Sequence, residues 1–323
     1  MLQTASWTTM QMPTSTQTRY YGTLLICLNA ILLIVVYRSL HDPRDVPRSP
    51  TTVTMSNESQ SVIKSTDESL YVMYGDGNFS DDNQHLLNYI RSMTSRQGPG
   101  GRHLFSPSSR VHFSQVGGSE FVDKLLNQRR NGFFVESGAF IGEEYSDTLF
   151  FEMYRNWTGI LIEPHPDYYR EILTKNRRAL VLRACLSASR RPEFVKFRLM
   201  GWGSGVSSLN KNVDQTNQQV PETHVQCFSL NSIMSAIGVK HVDFMVLDVE
   251  GSELPVLQTI DWTRLSVDVF SIEYSIVDNL PKRFEKLNKI RRFFNETGTY
   301  KEVGILGLTT KESGAQDILF MRV

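Results

Sequence analysis

Three short stretches bring together the residue types that hold a ribose-bearing ligand and accept protons. The first is Glu136-Ser137-Gly138-Ala139-Phe140-Ile141-Gly142, an acid followed by two glycines four apart. Glycine tolerates backbone conformations that side chains resist, so such a turn can come close to a ligand. The second is Ile162-Glu163-Pro164. A carboxylate just after a strand can accept hydrogen bonds from two ribose hydroxyls. The third, Leu247-Asp248-Val249-Glu250-Gly251-Ser252-Glu253, holds three acids within six residues. Each stretch also has a plainer use: ordinary turn glycines, a cap for the helix after Pro166, and acids that favour a helix dipole. Asp248 and Glu250 lack a recognisable set of further metal ligands, so no metal is expected.

The elements that must position these residues alternate regularly. Apolar runs of strand length fall at 133–136, 159–163, 180–186, 242–248, 267–273, 300–305 and 317–323. Segments of helical spacing lie between them at 145–154, 167–178, 230–237, 252–260 and 281–294. Strand–helix alternation with near-continuous apolar strands predicts an α/β fold with a parallel sheet covered on both faces. The last two strands have no helix between them, which predicts an antiparallel hairpin, and 191–217 reads as an inserted hairpin and loop. In such sheets ligands sit beyond the carboxyl ends of the strands, where the strand order reverses. All three acidic stretches fall at that edge. A ribose-bearing cofactor accounts for them together. The G-x-G-x-x-G pyrophosphate pattern is absent, which favours S-adenosylmethionine over a dinucleotide.

Composition limits the remaining readings. The chain has 323 residues, with 34 Lys+Arg against 34 Asp+Glu. A net charge of zero gives no basic footprint for nucleic acid. Three cysteines cannot make a disulfide scaffold. Cys185 and Cys227 are read as two buried thiols, or as a bridge if their Cα atoms lie within about 7 Å.

The amino-terminal third reads differently. Residues 20–37 carry no charge and are bracketed by Arg19 and Arg38, with tyrosines at both ends. Eighteen helical residues span about 27 Å, enough for a bilayer core. A cleaved signal peptide would have a shorter apolar run and a basic start. The expected organisation is a tail at 1–19, a transmembrane signal anchor at 20–37, a low-complexity stalk at 38–110 with one short helix around Leu86, Ile90 and Met93, and a globular domain at 111–323. Arg38, Arg44 and Arg48 against Arg19 favour a cytosolic domain by the positive-inside rule. Sequons at Asn57, Asn78, Asn156 and Asn295 favour the lumen.

The stretch from Gly132 to Glu273 resembles the FkbM-type branch of class I methyltransferases. VESGAFIGEEYSDTLFFE, WTGILIEPHPDYYREILTKNRRA, RACLS, VQCFSLNSIM and VDFMVLDVEGSELPVL occur in the family's order. The resemblance implies a Rossmann-like seven-stranded sheet with an antiparallel last strand. It gives Glu136, Gly138 and Gly142, with Ala139 in the same turn, to the methionine part of the cofactor, Glu163 to the ribose, and Leu186 and Ser187 to the adenine. Asp248 and Glu250 would face the transferred methyl group and the acceptor. Ser137 and Phe140 depart from the usual motif, and Phe140 would narrow the turn. Anchor, stalk and domain together resemble the animal Star-type membrane proteins. That likeness implies an endoplasmic reticulum and Golgi location, with a luminal domain that assists membrane cargo such as growth-factor precursors.

Overall fold

The computed structural model describes residues 80–96, 110–199, 205–206, 221–275, 280–307 and 316–323. Among them no helix is long and apolar enough to cross a membrane. The expected span at 20–37 lies outside the described residues, as do the 1–19 tail and most of the expected stalk.

The strands are β1 (Thr94–Arg96), β2 (Phe133–Ser137), β3 (Thr158–Ile162), β4 (Leu180–Leu182), β5 (Cys185–Leu186), β6 (Glu193–Arg198), β7 (Gly205–Val206), β8 (Glu222–Phe228), β9 (His241–Leu247), β10 (Ser266–Glu273), β11 (Tyr300–Leu306) and β12 (Asp317–Arg322). The helices are α1 (Gln84–Met93), α2 (Gly118–Leu125), α3 (Leu149–Tyr154), α4 (Pro166–Thr174), α5 (Leu230–Ile237), α6 (Glu253–Thr259) and α7 (Leu280–Thr297). The main sheet runs β1-β4-β3-β2-β9-β10-β12-β11. Its centre is parallel from β4 to β10, and β12 lies antiparallel between β10 and β11. Phe134, Val135, Leu161, Phe244, Met245 and Phe270 are fully buried, because helices cover both faces.

Three expectations need correction. The sheet has eight strands rather than seven, because β1 adds antiparallel to β4. It follows α1, in the segment expected to be stalk. Asn83 Oδ1 caps this helix by accepting from His85 N and Leu86 N, and Leu86, Leu87 and Ile90 are buried against the domain. Arg91 Nε donates to Ala236 O at 2.6 Å, tying α1 to α5. The apolar spacing that signalled a short helix is therefore the face of a docked one.

The expected strand at 180–186 is two strands in different sheets. β4 ends at Leu182, and β5 pairs with β8 in a four-stranded sheet of order β5-β8-β6-β7. The break falls at Arg183 and Ala184, with Ala184 N donating to Leu182 O. The hairpin expected within 191–217 appears as β6 and β7, and β8 joins it as a strand not read from the sequence. Its alternation of half-buried and exposed positions is too polar to register as a core strand. Cys185 and Cys227 stand opposite each other on β5 and β8 and are disulfide-bonded, which decides between the two readings of these thiols.

Candidate functional site

The sheet reverses direction of growth between β2 and β9, so their carboxyl ends flank the switch point where ligands bind in this architecture. Two of the three acidic stretches meet there. Gly138 has φ +85, and a Cβ on it would lie 1.9 Å from Asp248 O. Only glycine fits this approach. Asp248 N in turn donates to Ser137 O at 3.1 Å. Gly138 N and Ala139 N both donate to Ile162 O, and Gly142 N donates to Ala139 O at 2.8 Å. Gly142 has φ +72 and packs on Ile172 of α4.

Glu163 joins the second stretch to this turn. Its Oε2 accepts from Phe140 N at 2.8 Å and its Oε1 from His165 N at 2.7 Å. Phe140 carries φ +49, an uncommon conformation for a bulky residue. The Glu163 bond and the edge-to-face contact of its ring with Tyr168, at 4.6 Å, hold it there. Glu163 is thus placed beside the glycine turn as expected, but each carboxylate oxygen already has one backbone partner.

Glu136 does not fit the role expected of it. It is 3% exposed, and Ser146 Oγ, Thr148 Oγ1 and Asp147 N all donate to its carboxylate. It fixes the turn leading into α3 rather than offering an acceptor to a ligand. Leu186 and Ser187 also differ from expectation. Leu186 is buried in β5, while Ser187 N donates to Phe228 O and Ser187 Oγ to Glu193 Oε2. Both are bound into the second sheet.

After β9 the chain turns sharply, with Glu250 at φ +52 and Gly251 at φ +104. Glu253 holds the turn: its Oε1 accepts from Val249 N and Gly251 N. Lys286 Nζ of α7 stands 2.8 Å from Glu253 Oε2 and supplies a countercharge. Asp248 as a whole is half-buried, yet its Oδ1 is closed to solvent and receives no hydrogen bond. Sequence reasoning missed Glu273, at the end of β10. One carboxylate oxygen each from Asp248, Glu250 and Glu273 lie within 4.8 Å of one another, a set able to take a hard divalent cation. The signal was present, since an acid ending a strand at this edge is what marked Glu136 and Glu163. A similar group at the opposite edge, His241, Asp243 and Asp268, already has a cation: Arg129 Nη1 lies 2.5 Å from Asp243 and 2.7 Å from Asp268.

Burial sets the electrostatics. Glu163 is pushed up to about 8 by desolvation, partly offset by its two backbone donors. Glu273 is pushed up to about 8 by burial and the neighbouring Glu250 charge, and Asp317 to about 6 by burial. Asp248 is held well above the usual carboxylate range by burial, then by Glu273 and Glu250. In the unfolded chain these acids lose their protons near the ordinary carboxylate value. The folded protein keeps them to higher pH, so this contribution is full below about 4.5 and is lost as pH rises towards about 8. The ligand-free protein is expected to melt higher at about pH 6 than at about pH 8.5. A melting temperature that climbs over that interval would show these carboxylates to be charged in the fold.

A mostly parallel sheet with this switch point and an antiparallel final strand is the Rossmann-like methyltransferase fold. Residues 136–300, just over half of the chain, match the methyltransferase FkbM domain, and the chain belongs to that family. No curated protein matches it. Among solved structures it is similar to the methyltransferase FkbM from Methylobacillus flagellatus KT, at 14% identity and TM-score 0.38 over 59% of this chain and 43% of that one. The chain thus spans less than half the length of that protein. It is also similar to the precorrin-6y C5,15-methyltransferase of Geobacter metallireducens GS-15, at 11% identity and TM-score 0.37 over 68% and 94% of the two chains. The fibrillarin pre-rRNA processing protein of Methanococcus jannaschii has 12% identity and TM-score 0.37 over 70% and 91%.

Proposed function

We propose that this chain is an S-adenosylmethionine-dependent O-methyltransferase, tethered to the membrane by residues 20–37. The observation that carries the reading is the pairing of Gly138 with Asp248 at the switch point. The turn is pressed to backbone contact there, and Asp248 Oδ1 is left buried without a partner. A buried acceptor without a donor is costly unless a ligand completes it. The glycine cradle and these carboxylates fit the cofactor. When bound, S-adenosylmethionine supplies an electrophilic methyl group on sulfur. Gly138, Ala139 and Gly142 admit its amino-acid portion, and the free lone pairs of Glu163 accept from its ribose. Asp248 or Glu250, in its ionised form, takes the proton of the acceptor hydroxyl, and burial holds both above the ordinary carboxylate range, which makes them stronger bases.

Calorimetric titration of the purified full-length protein with S-adenosylmethionine tests this. Titrated above about pH 8, where Glu163 is charged, Glu163→Ala is expected to weaken binding roughly 10- to 100-fold, the worth of one charge-assisted hydrogen bond. Absence of binding by the unaltered protein at millimolar cofactor sinks the cofactor reading.

The second reading is a catalytically silent, Star-like protein that assists membrane cargo through the endoplasmic reticulum and Golgi. The Cys185–Cys227 bond supports a luminal domain, because structural disulfides persist in oxidising compartments. The two readings part at Asp248→Asn. An enzyme loses turnover while retaining cofactor affinity, whereas a trafficking protein exports cargo unchanged.

A further inference from the structure

We propose that Asn295 carries an N-linked glycan. The inference rests on the luminal side proposed above and on two features that do not depend on each other. One is the disulfide. Cys185 and Cys227 are both buried, in facing positions of β5 and β8. A bond sealed within the second sheet is part of the fold rather than a surface thiol oxidised by chance, so the domain folds where disulfides form.

The other feature is the geometry of the sequons. Two of the four lie within the described residues, and the fold treats them differently. Asn156-Trp157-Thr158 has its amide engaged on both sides: Nδ2 donates to Asn131 Oδ1 at 2.8 Å, and Arg178 Nη1 donates to Asn156 Oδ1 at 3.0 Å. Trp157 between them is wholly buried. Asn295-Glu296-Thr297 lies in the last turn of α7, with Asn295 and Glu296 exposed. The Asn295 amide has no partner among the described residues. Phe294 faces inward, fully buried and stacked on Phe320 at 4.1 Å, which fixes the neighbouring Asn295 outward.

A glycan there also leaves the candidate site open. β10 ends at Glu273 on the carboxyl edge of the sheet, and α7 returns to the opposite edge, where Tyr300 begins β11 and its hydroxyl reaches Val267 O. Fifteen residues of helix separate Asn295 from the start of α7, about 22 Å at 1.5 Å per residue.

Asn295 Nδ2 forms a bond to the anomeric carbon of an oligosaccharide carried on a lipid diphosphate. The bond from that carbon to the diphosphate oxygen breaks. The diphosphate leaves with the electron pair, and the amide gives up one proton to a base of the transferase. The product is a glycosylamide that still has one N–H.

The test uses the full chain made in animal cells, with alkylation of free thiols at lysis and peptide mapping after treatment with an N-glycosidase. The peptide bearing Asn295 is expected to show the Asn-to-Asp conversion that the enzyme leaves, with Cys185 and Cys227 protected from alkylation. Asn295→Gln should run faster on a gel by one glycan, while Thr297→Ser, which keeps the sequon, should run as the unaltered protein does. Unconverted Asn295 in protein with a protected disulfide overturns the glycan alone. Unconverted Asn295 together with alkylated Cys185 and Cys227 overturns the luminal side as well. Neither result touches the methyltransferase reading, which the cofactor titration judges.

Discussion

Removal of residues 317–323 is expected to leave no folded domain. β12 is the interior strand through which β11 reaches the sheet, paired with both β10 and β11. Ile318, Leu319 and Phe320 are at most 1% exposed. Each contributes about 1.5–3 kcal/mol through burial. Deletion also strips partners from backbone groups on both neighbouring strands, and an unpaired buried group costs about 1–3 kcal/mol. Together these losses reach the 5–15 kcal/mol that holds an ordinary domain folded. Insoluble or rapidly proteolysed protein is the expected outcome. An unchanged melting temperature in the shortened protein would mean that the sheet closes without β12.

The second large effect belongs to Arg177, which is wholly buried. Its Nε donates to Glu152 Oε2 at 3.0 Å, Glu152 being equally buried. Its Nη1 reaches Gly142 O and its Nη2 reaches Thr148 Oγ1. One guanidinium thereby joins the glycine turn, α3 and the Glu136 network. Arg177→Met takes the Nε donor and its charge from one oxygen of the buried Glu152 carboxylate, whose other oxygen keeps Arg178 N, and breaking such a pair costs about 3–5 kcal/mol. Replacing both partners removes the stranded charge, so Arg177→Met with Glu152→Leu should recover much of that loss. Urea denaturation of the two single variants and the double variant measures the coupling. Additive losses would show that the ion pair is not the cause.

What could be read from the sequence follows from how local each signal is. The central strands announce themselves because they are buried on both faces and therefore continuously apolar. α5 was legible to its ends, with Ser229 capping its start and Gly238 at φ +75 closing it. α2 went unread: its eight residues offer only Phe121, Val122 and Leu125 as an apolar face. The positions of Gly138, Glu163 and Asp248 at one edge were legible, since strand ends can be counted along the chain. Their hydrogen-bond partners were not. That Glu136 is consumed by Ser146 and Thr148 depends on how the turn after β2 folds back, and that Lys286 answers Glu253 depends on where α7 packs; neither is written in the spacing. Nor does spacing reveal that Cys185 and Cys227, separated by 42 residues, fall opposite each other.

The two outer strands of the main sheet bear on how the protein behaves in a crowd of its own copies. An open sheet offers unpaired N–H and C=O groups to any passing extended segment, and long flat edges polymerise. Among the described residues one edge is β1, three residues long and paired to β4 behind it. The other is β11, whose register with β12 slips between Glu302 and Gly304 and which exposes Lys301 and Glu302. A short strand gives a recruit too few bonds to hold it, while a slipped one bends away and presents charge. Many copies crowded together can therefore sit close without zipping into a shared sheet.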